Sequence, residues 1–123
     1  MNTNTWTAKA KEGFTTLDVS QKYIDAALKW LDVWLTDQAF NEYVPQIQYL
    51  IDSGKWNFLL DAFYQVIPFG TGGRRGLVGI GPNRINPWTI QASAQGHSQY
   101  LTRVFGQEAQ KRGVVLTYDV RKF

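Results

Sequence analysis

The chain has 123 residues, 44% of them hydrophobic and 19% charged, so it is long enough for one domain with a real core and is not composed like a disordered segment. It has no cysteine and a single histidine, His97, which excludes disulfides, thiolate zinc sites, cysteine nucleophiles and multi-histidine metal centres. The net charge of +3 is unevenly spread: residues 1–68 carry −3 and residues 69–123 carry +6.

The first part reads as helices. Ser20 is placed to cap a helix whose apolar face runs Ile24, Ala27, Leu28, Leu31, Trp34 and Leu35, the spacing of one side of a 3.6-residue repeat. Thr36-Asp37 breaks that pattern. A second helical stretch carries Phe40, Val44, Ile47, Leu50 and Ile51, with Pro45 as a kink or restart and Gly54 as a stop. A third runs from about Trp56 to Val66, with Leu59, Leu60, Phe63 and Tyr64 on one side, and Pro68 ends it. Four of the five tryptophans fall in this part, at helical spacing that predicts core packing rather than chemistry.

At Pro68 the texture changes. Residues 69–81 contain six glycines in thirteen positions, a pattern that predicts short strands around a glycine turn. Asn86-Pro87 reads as a cap followed by proline in the first helical turn. The helix it opens is expected to reach about Arg112, to bury Ile90, Ala94, Leu101, Val104 and Phe105, and to stop at Gly113. Val114-Val115-Leu116-Thr117-Tyr118 is expected to be a buried strand closed by Asp119. Strand, helix, strand in this order predicts the start of an α/β fold, with a helical part over residues 1–68 and the α/β part over residues 69–123.

All six arginines lie in the second part, and no acid occurs from Phe69 to Arg103. Such an asymmetry points to an anionic partner. The strongest candidate site is the glycine-arginine stretch, where backbone N–H groups can converge on an oxygen-rich ligand while Arg74 and Arg75 add forked, charged donors. It is neither a Walker loop, since no Gly-Lys-Ser/Thr follows, nor a dinucleotide fingerprint, since Arg75 occupies the third glycine position. A glycine-rich hairpin with solvated arginines is the competing reading. Asp119 and Arg121 follow the expected strand, where ligands gather in open α/β sheets, though a strand-end turn with exposed charges is the more common reading of such residues. His97 falls on the helix's apolar stripe and is read as a core or interface residue. Ser93 and Ser98 lack a nucleophile-elbow context. No paired carboxylates and no metal-ligand cluster are apparent, so neither a catalytic nor a metal residue is assigned within the chain.

Three stretches resemble the α-D-phosphohexomutase family of phosphoglucomutases, phosphomannomutases and phosphopentomutases: Phe69-Gly70-Thr71-Gly72-Gly73-Arg74-Arg75-Gly76, Gly81-Pro82-Asn83-Arg84-Ile85-Asn86, and Tyr118-Asp119-Val120-Arg121. Trp30-Leu31 and Leu59-Leu60-Asp61-Ala62-Phe63-Tyr64 are similar to the helical lead-in of its longer branch. Arg74 departs from the family, which usually has an apolar residue there. The resemblance implies an N-terminal piece of a four-domain enzyme that moves a phosphoryl group between positions of a hexose or pentose phosphate through a phosphoserine, with Mg2+ and a sugar bisphosphate activator. It places Arg75 near the phosphate, with Thr71, Gly72 and Gly73 shaping the turn and Asn83, Arg84, Asp119 and Arg121 in support. The serine loop, the aspartate-rich metal loop and the later domains are expected downstream, so the 123-residue chain is expected to be inactive alone.

The reading from a different class is a non-catalytic anion-binding or interaction module that retains the Gly-Arg motif. Nucleic-acid binding is set aside because the arginines surround a glycine turn instead of forming a stripe with exposed aromatics. No apolar run reaches the ~18–20 residues of a membrane span, and the first residues lack the form of a secretory signal. With no cysteine, a cytoplasmic setting is expected.

Overall fold

A computed structural model describes residues 2–120 of the chain and divides it into two units, Met1–Ile90 and Gln91–Phe123. The first unit holds α1 (Thr3–Phe14), α2 (Gln21–Thr36), a 3-10 helix (Gln38–Tyr43), α3 (Val44–Asp52) and α4 (Trp56–Phe63). α5 (Pro87–Phe105) starts in this unit and continues into the second, which also contains α6 (Gln107–Arg112). No helix among the described residues is long and apolar enough to cross a membrane.

α2 forms where its periodicity requires, burying Ile24, Ala27, Leu31, Trp34 and Leu35. Ser20 occupies the N-cap position, but its side chain makes no capping hydrogen bond. At the other end the Asp37 carboxylate accepts from the Ala39 N–H at 2.9 Å and starts the 3-10 turn. Pro45 lies in the first turn of α3, where a missing N–H costs nothing, so it marks a restart and not a kink. α4 stops at Phe63, short of the expected Val66, and the Tyr64 N–H closes it onto the Leu60 carbonyl at 2.9 Å.

α1 is an element that periodicity reading did not anticipate. It buries Trp6, Ala10, Gly13 and Phe14, a single helical face diluted by threonine and lysine. Gly13 is indispensable to its packing: the Trp56 ring lies directly on the glycine backbone, where any Cβ would overlap it. Lys9 of α1 also reaches Asp52 at the end of α3, at 2.7 Å.

The core centres on Trp34, which is fully buried. Phe40 stacks on it with ring centroids 4.4 Å apart, Tyr43 tilts against it at 5.0 Å, and Phe63 and Trp88 meet it edge-on at 5.5 and 5.6 Å. Aromatic clusters of this kind bury large areas and add directional contacts. Trp88, at the start of α5, thereby fastens the segment after the glycine stretch to the helical core.

The α/β architecture expected of the second part is not seen among the described residues. The only pairing there is an isolated parallel bridge between Val78 and Ile85, and residues 114–118 form no strand. A strand needs a neighbour to take up its backbone donors and acceptors, and no segment of the described chain provides one. The long helix also differs from expectation. It breaks at Gly106 before resuming as α6, which Gly113 ends. Its apolar stripe is not buried: Ile90 is 53% exposed, Val104 50% and Phe105 47%, while Ala94 and His97 are also exposed and Leu101 is only half-buried. His97 is therefore not a core residue, because nothing in the described chain covers the face that carries it.

Candidate functional site

The glycine-arginine stretch is a loop with a fixed neck. At one side Ile67 is buried, and its N–H donates to the Pro82 carbonyl at 2.8 Å. At the other, Gly76 lies so close to Ile67 that a Cβ would approach its Cδ1 to 2.7 Å. Between them the Gly70 N–H donates to the Gly73 carbonyl at 2.7 Å and folds the chain back on itself. Pro68, Phe69, Gly70, Thr71, Gly72, Gly73 and Arg75 line the resulting concavity of about 400 Å³, within the size range of small-molecule sites.

The scaffold under this loop is the C-terminal end of α4. A helix ends with carbonyls that have no partner within it and with the negative end of its dipole. Here the chain itself returns to satisfy them. The Asn83 N–H donates to the Ala62 carbonyl at 3.0 Å, and the Asn83 side chain donates to the Asp61 carbonyl at 2.8 Å. The Arg84 guanidinium, 3% exposed, pairs with the Asp61 carboxylate at 2.7 Å, donates to the Asn83 carbonyl at 3.1 Å and covers the Phe58 ring at 5.1 Å. Gly81 makes this approach possible, since with φ at +108° it presents bare backbone to the Ala62 carbonyl.

Asn86 completes the frame. Its Oδ1 accepts from the Thr89 N–H at 3.0 Å, and the Asn86 N–H donates to the Thr89 hydroxyl at 3.0 Å, a reciprocal cap on α5. Its Nδ2 donates to the carbonyls of Gly79 and Gly81, both at 2.9 Å. The cap expected at Asn86 thus has a second role as a cross-link within the glycine-rich stretch.

The expected site residues separate into groups. Thr71, Gly72, Gly73 and Arg75 converge on one concavity, while Arg74, half-buried, is not part of its lining. Asn83 and Arg84 do not reach it either: their side chains are spent on the end of α4. Asp119 belongs to the second unit, and Arg121 lies outside the described residues. The partners that hold Arg84, namely Phe58 and the Asp61 carboxylate, were not singled out from sequence. The available signal was an arginine in an acid-free stretch, which when buried must find a carboxylate elsewhere. A second concavity of about 390 Å³, lined by Pro45, Gln46, Tyr49, Leu50, Phe58, Gly79 and Ile80, contains no charged side chain and offers no catalytic chemistry.

The arrangement suits recognition of a compact anion. Arg75 is exposed at the rim, and the glycines leave the backbone of the loop accessible, so both kinds of donor that phosphate recognition uses are present. No nucleophile with an activating base lies on the loop. Among the described residues no group of three or more His, Asp or Glu side chains could hold a metal ion, so these residues do not fit the Mg2+ that the family resemblance implies.

The chain is 36% identical over 93 residues to a phosphopentomutase of Mus musculus, covering 76% of this chain and 14% of that protein. It is 37% identical over 70 residues to a phosphoglucomutase of Staphylococcus haemolyticus, covering 57% of this chain and 12% of the relative. A glucose 1,6-bisphosphate synthase of Mus musculus is 38% identical over 88 residues, or 72% of this chain and 14% of that protein. No family model and no solved structure matches. The chain therefore spans about a seventh of the length of these relatives, and over that stretch it is similar to members of the phosphohexomutase family.

Proposed function

We propose that this chain is the opening portion of a sugar-phosphate mutase and that its loop at residues 68–75 is the part that meets a phosphate. The observation that carries the reading is the convergence of Thr71, Gly72, Gly73 and Arg75 on one concavity in a chain whose relatives are named as mutases of sugar phosphates. In this reading the α/β domain expected over residues 69–123 is completed by later segments. The phosphoserine and the Mg2+ ligands lie beyond residue 123, and a sugar bisphosphate primes the enzyme in a cytoplasmic setting. The chain's own contribution is positioning: Arg75 and the loop amides hold a transferring phosphate, which is the larger part of phosphoryl-transfer catalysis.

The test is a titration of the isotope-labelled 123-residue chain with glucose 1-phosphate, followed through its backbone amide resonances. The amides of Gly70, Gly72 and Gly73 should shift together with millimolar affinity, about 4 kcal/mol, and Arg75→Ala should abolish the shift while leaving the fold intact. Amides that stay still at about 50 mM ligand, ten or more times that affinity, refute the assignment of the loop. The same chain should show no mutase turnover above the Arg75→Ala background. Turnover would overturn the placement of the nucleophile downstream.

A further inference from the structure

Both ends of the loop at 68–75 rest on one short segment, residues 82–85. On the way in, the Ile67 N–H donates to the Pro82 carbonyl at 2.8 Å; on the way out, the Leu77 carbonyl accepts from the Ile85 N–H at 2.8 Å. Whatever fixes residues 82–85 on the fold therefore fixes the two ends of the loop. Two side chains do so. Asn83 donates to the Asp61 carbonyl at 2.8 Å and accepts from the Gln65 side-chain amide at 3.2 Å. The Arg84 guanidinium joins the Asp61 carboxylate, at 2.7 Å, to the Asn83 carbonyl, at 3.1 Å, and as a planar fork it holds both in one geometry.

Such an arginine is a costly way to close a helix. Its charge has lost its water, with the side chain 3% exposed, while the Asp61 carboxylate opposite is 55% exposed. Its Nε is buried without a hydrogen-bond partner among the described residues. The end of α4 does not require it, since Asn83 already donates to the Ala62 and Asp61 carbonyls. A desolvated ion pair of this kind adds little net stability, and its best-attested use is to fix a register. We propose that Arg84 is a positioning residue for the loop. Its pairing with Asp61 holds residues 82–85 at the one place on α4 that brings Thr71, Gly72, Gly73 and Arg75 onto a single concavity, so it sets the affinity for a phosphate that it does not touch. The effect on affinity rests on the reading of residues 68–75 as the phosphate loop, whereas the effect on the order of the loop does not.

The test is Asp61→Leu and Arg84→Met made together in the 123-residue chain, which replaces both charges by apolar groups and leaves neither alone. The urea midpoint should be unchanged or higher, as when other buried pairs are replaced in this way. In the free double variant the order parameters of the Gly70, Gly72 and Gly73 amides should fall into the flexible range, below about 0.6, while those of α2 stay rigid. In the glucose 1-phosphate titration the affinity should fall about tenfold, as for a loop that is competent about a tenth of the time. Arg84→Lys keeps the charge opposite Asp61 and loses the fork, so it should fall between wild type and the double variant, and it reads the same signals if the apolar pair weakens the fold. Loop amides as ordered as in wild type would overturn the proposal whatever the titration gives, and so would a disordered loop with undiminished affinity. A wild-type chain that ignores glucose 1-phosphate refutes the phosphate reading instead, and the order parameters then decide the role of Arg84.

Discussion

Gly81→Ala is the sharpest test of how the site is held. Gly81 has φ of +108°, and a Cβ built on it would overlap the Ala62 carbonyl oxygen. That oxygen belongs to the backbone of α4, so it cannot swing aside as a side chain could. Holding alanine at this φ costs about 1–3 kcal/mol. Relieving the overlap means lifting the 81–84 turn off the helix, which gives up the bonds from Asn83 to the Ala62 and Asp61 carbonyls, at 3.0 and 2.8 Å. Each is worth about 1 kcal/mol, so the total loss comes to about 3–5 kcal/mol. Urea and thermal unfolding monitored at the helical signal would read it, with Tm falling by about 4–8 °C per kcal/mol for a unit of this size. Gly72→Ala is the control from the same glycine-rich stretch: its Cβ would meet nothing within 4 Å, and its backbone is outside the positive-φ set. It should leave stability unchanged or raise it by a few tenths of a kcal/mol. A Gly81→Ala loss under about 1 kcal/mol, or an equal loss in both variants, would refute the account of the turn.

Trp34→Ala removes the ring at the centre of the aromatic cluster and should cost about 3–5 kcal/mol, read as a fall in urea midpoint without a change in slope. Burial raises the Tyr43 phenol above its ordinary value, and the neighbouring Glu42 raises it further. The folded state therefore holds this proton more tightly than the unfolded chain, so its contribution is complete below about pH 10 and is lost as pH rises through the higher folded value. Tyr43→Phe should accordingly flatten the alkaline loss of stability above pH 10 in a pH series of unfolding midpoints; an identical alkaline limb would count against it. His97 is exposed on α5, so His97→Gln should change stability by less than about 0.5 kcal/mol by the same unfolding assay, and a larger loss would show that the face is covered.

The helical half was legible because its sequence obeys a local rule. Ile24, Ala27, Leu31 and Trp34 repeat at the helical period, and all four are buried in the structure; Pro45 and Gly54 punctuate the chain where they stand in the sequence. α1 escaped because three of the first seven residues are threonine and its apolar face is carried by only Trp6, Ala10 and Phe14 with a glycine between them. The value of Gly13 depends on Trp56, forty-three positions away, and no local pattern records that. The loop at 68–75 was legible as a candidate site because glycine and arginine crowd together there without acids. What supports it was not, because Arg84 was read by its charge and the structure uses it by its burial. Once the Asp61 carboxylate neutralises it and the end of α4 takes its hydrogen bonds, the residue is a strut. The second half failed in the opposite way. The period-two run at 114–120 is a sound strand signal, but a strand is completed only by its neighbours, and pattern alone cannot say whether those neighbours lie in the same segment. Helices satisfy their own backbones, which is why α2, α3 and α4 can be read from local sequence, whereas residues 114–120 depend on a partner that the local sequence does not name.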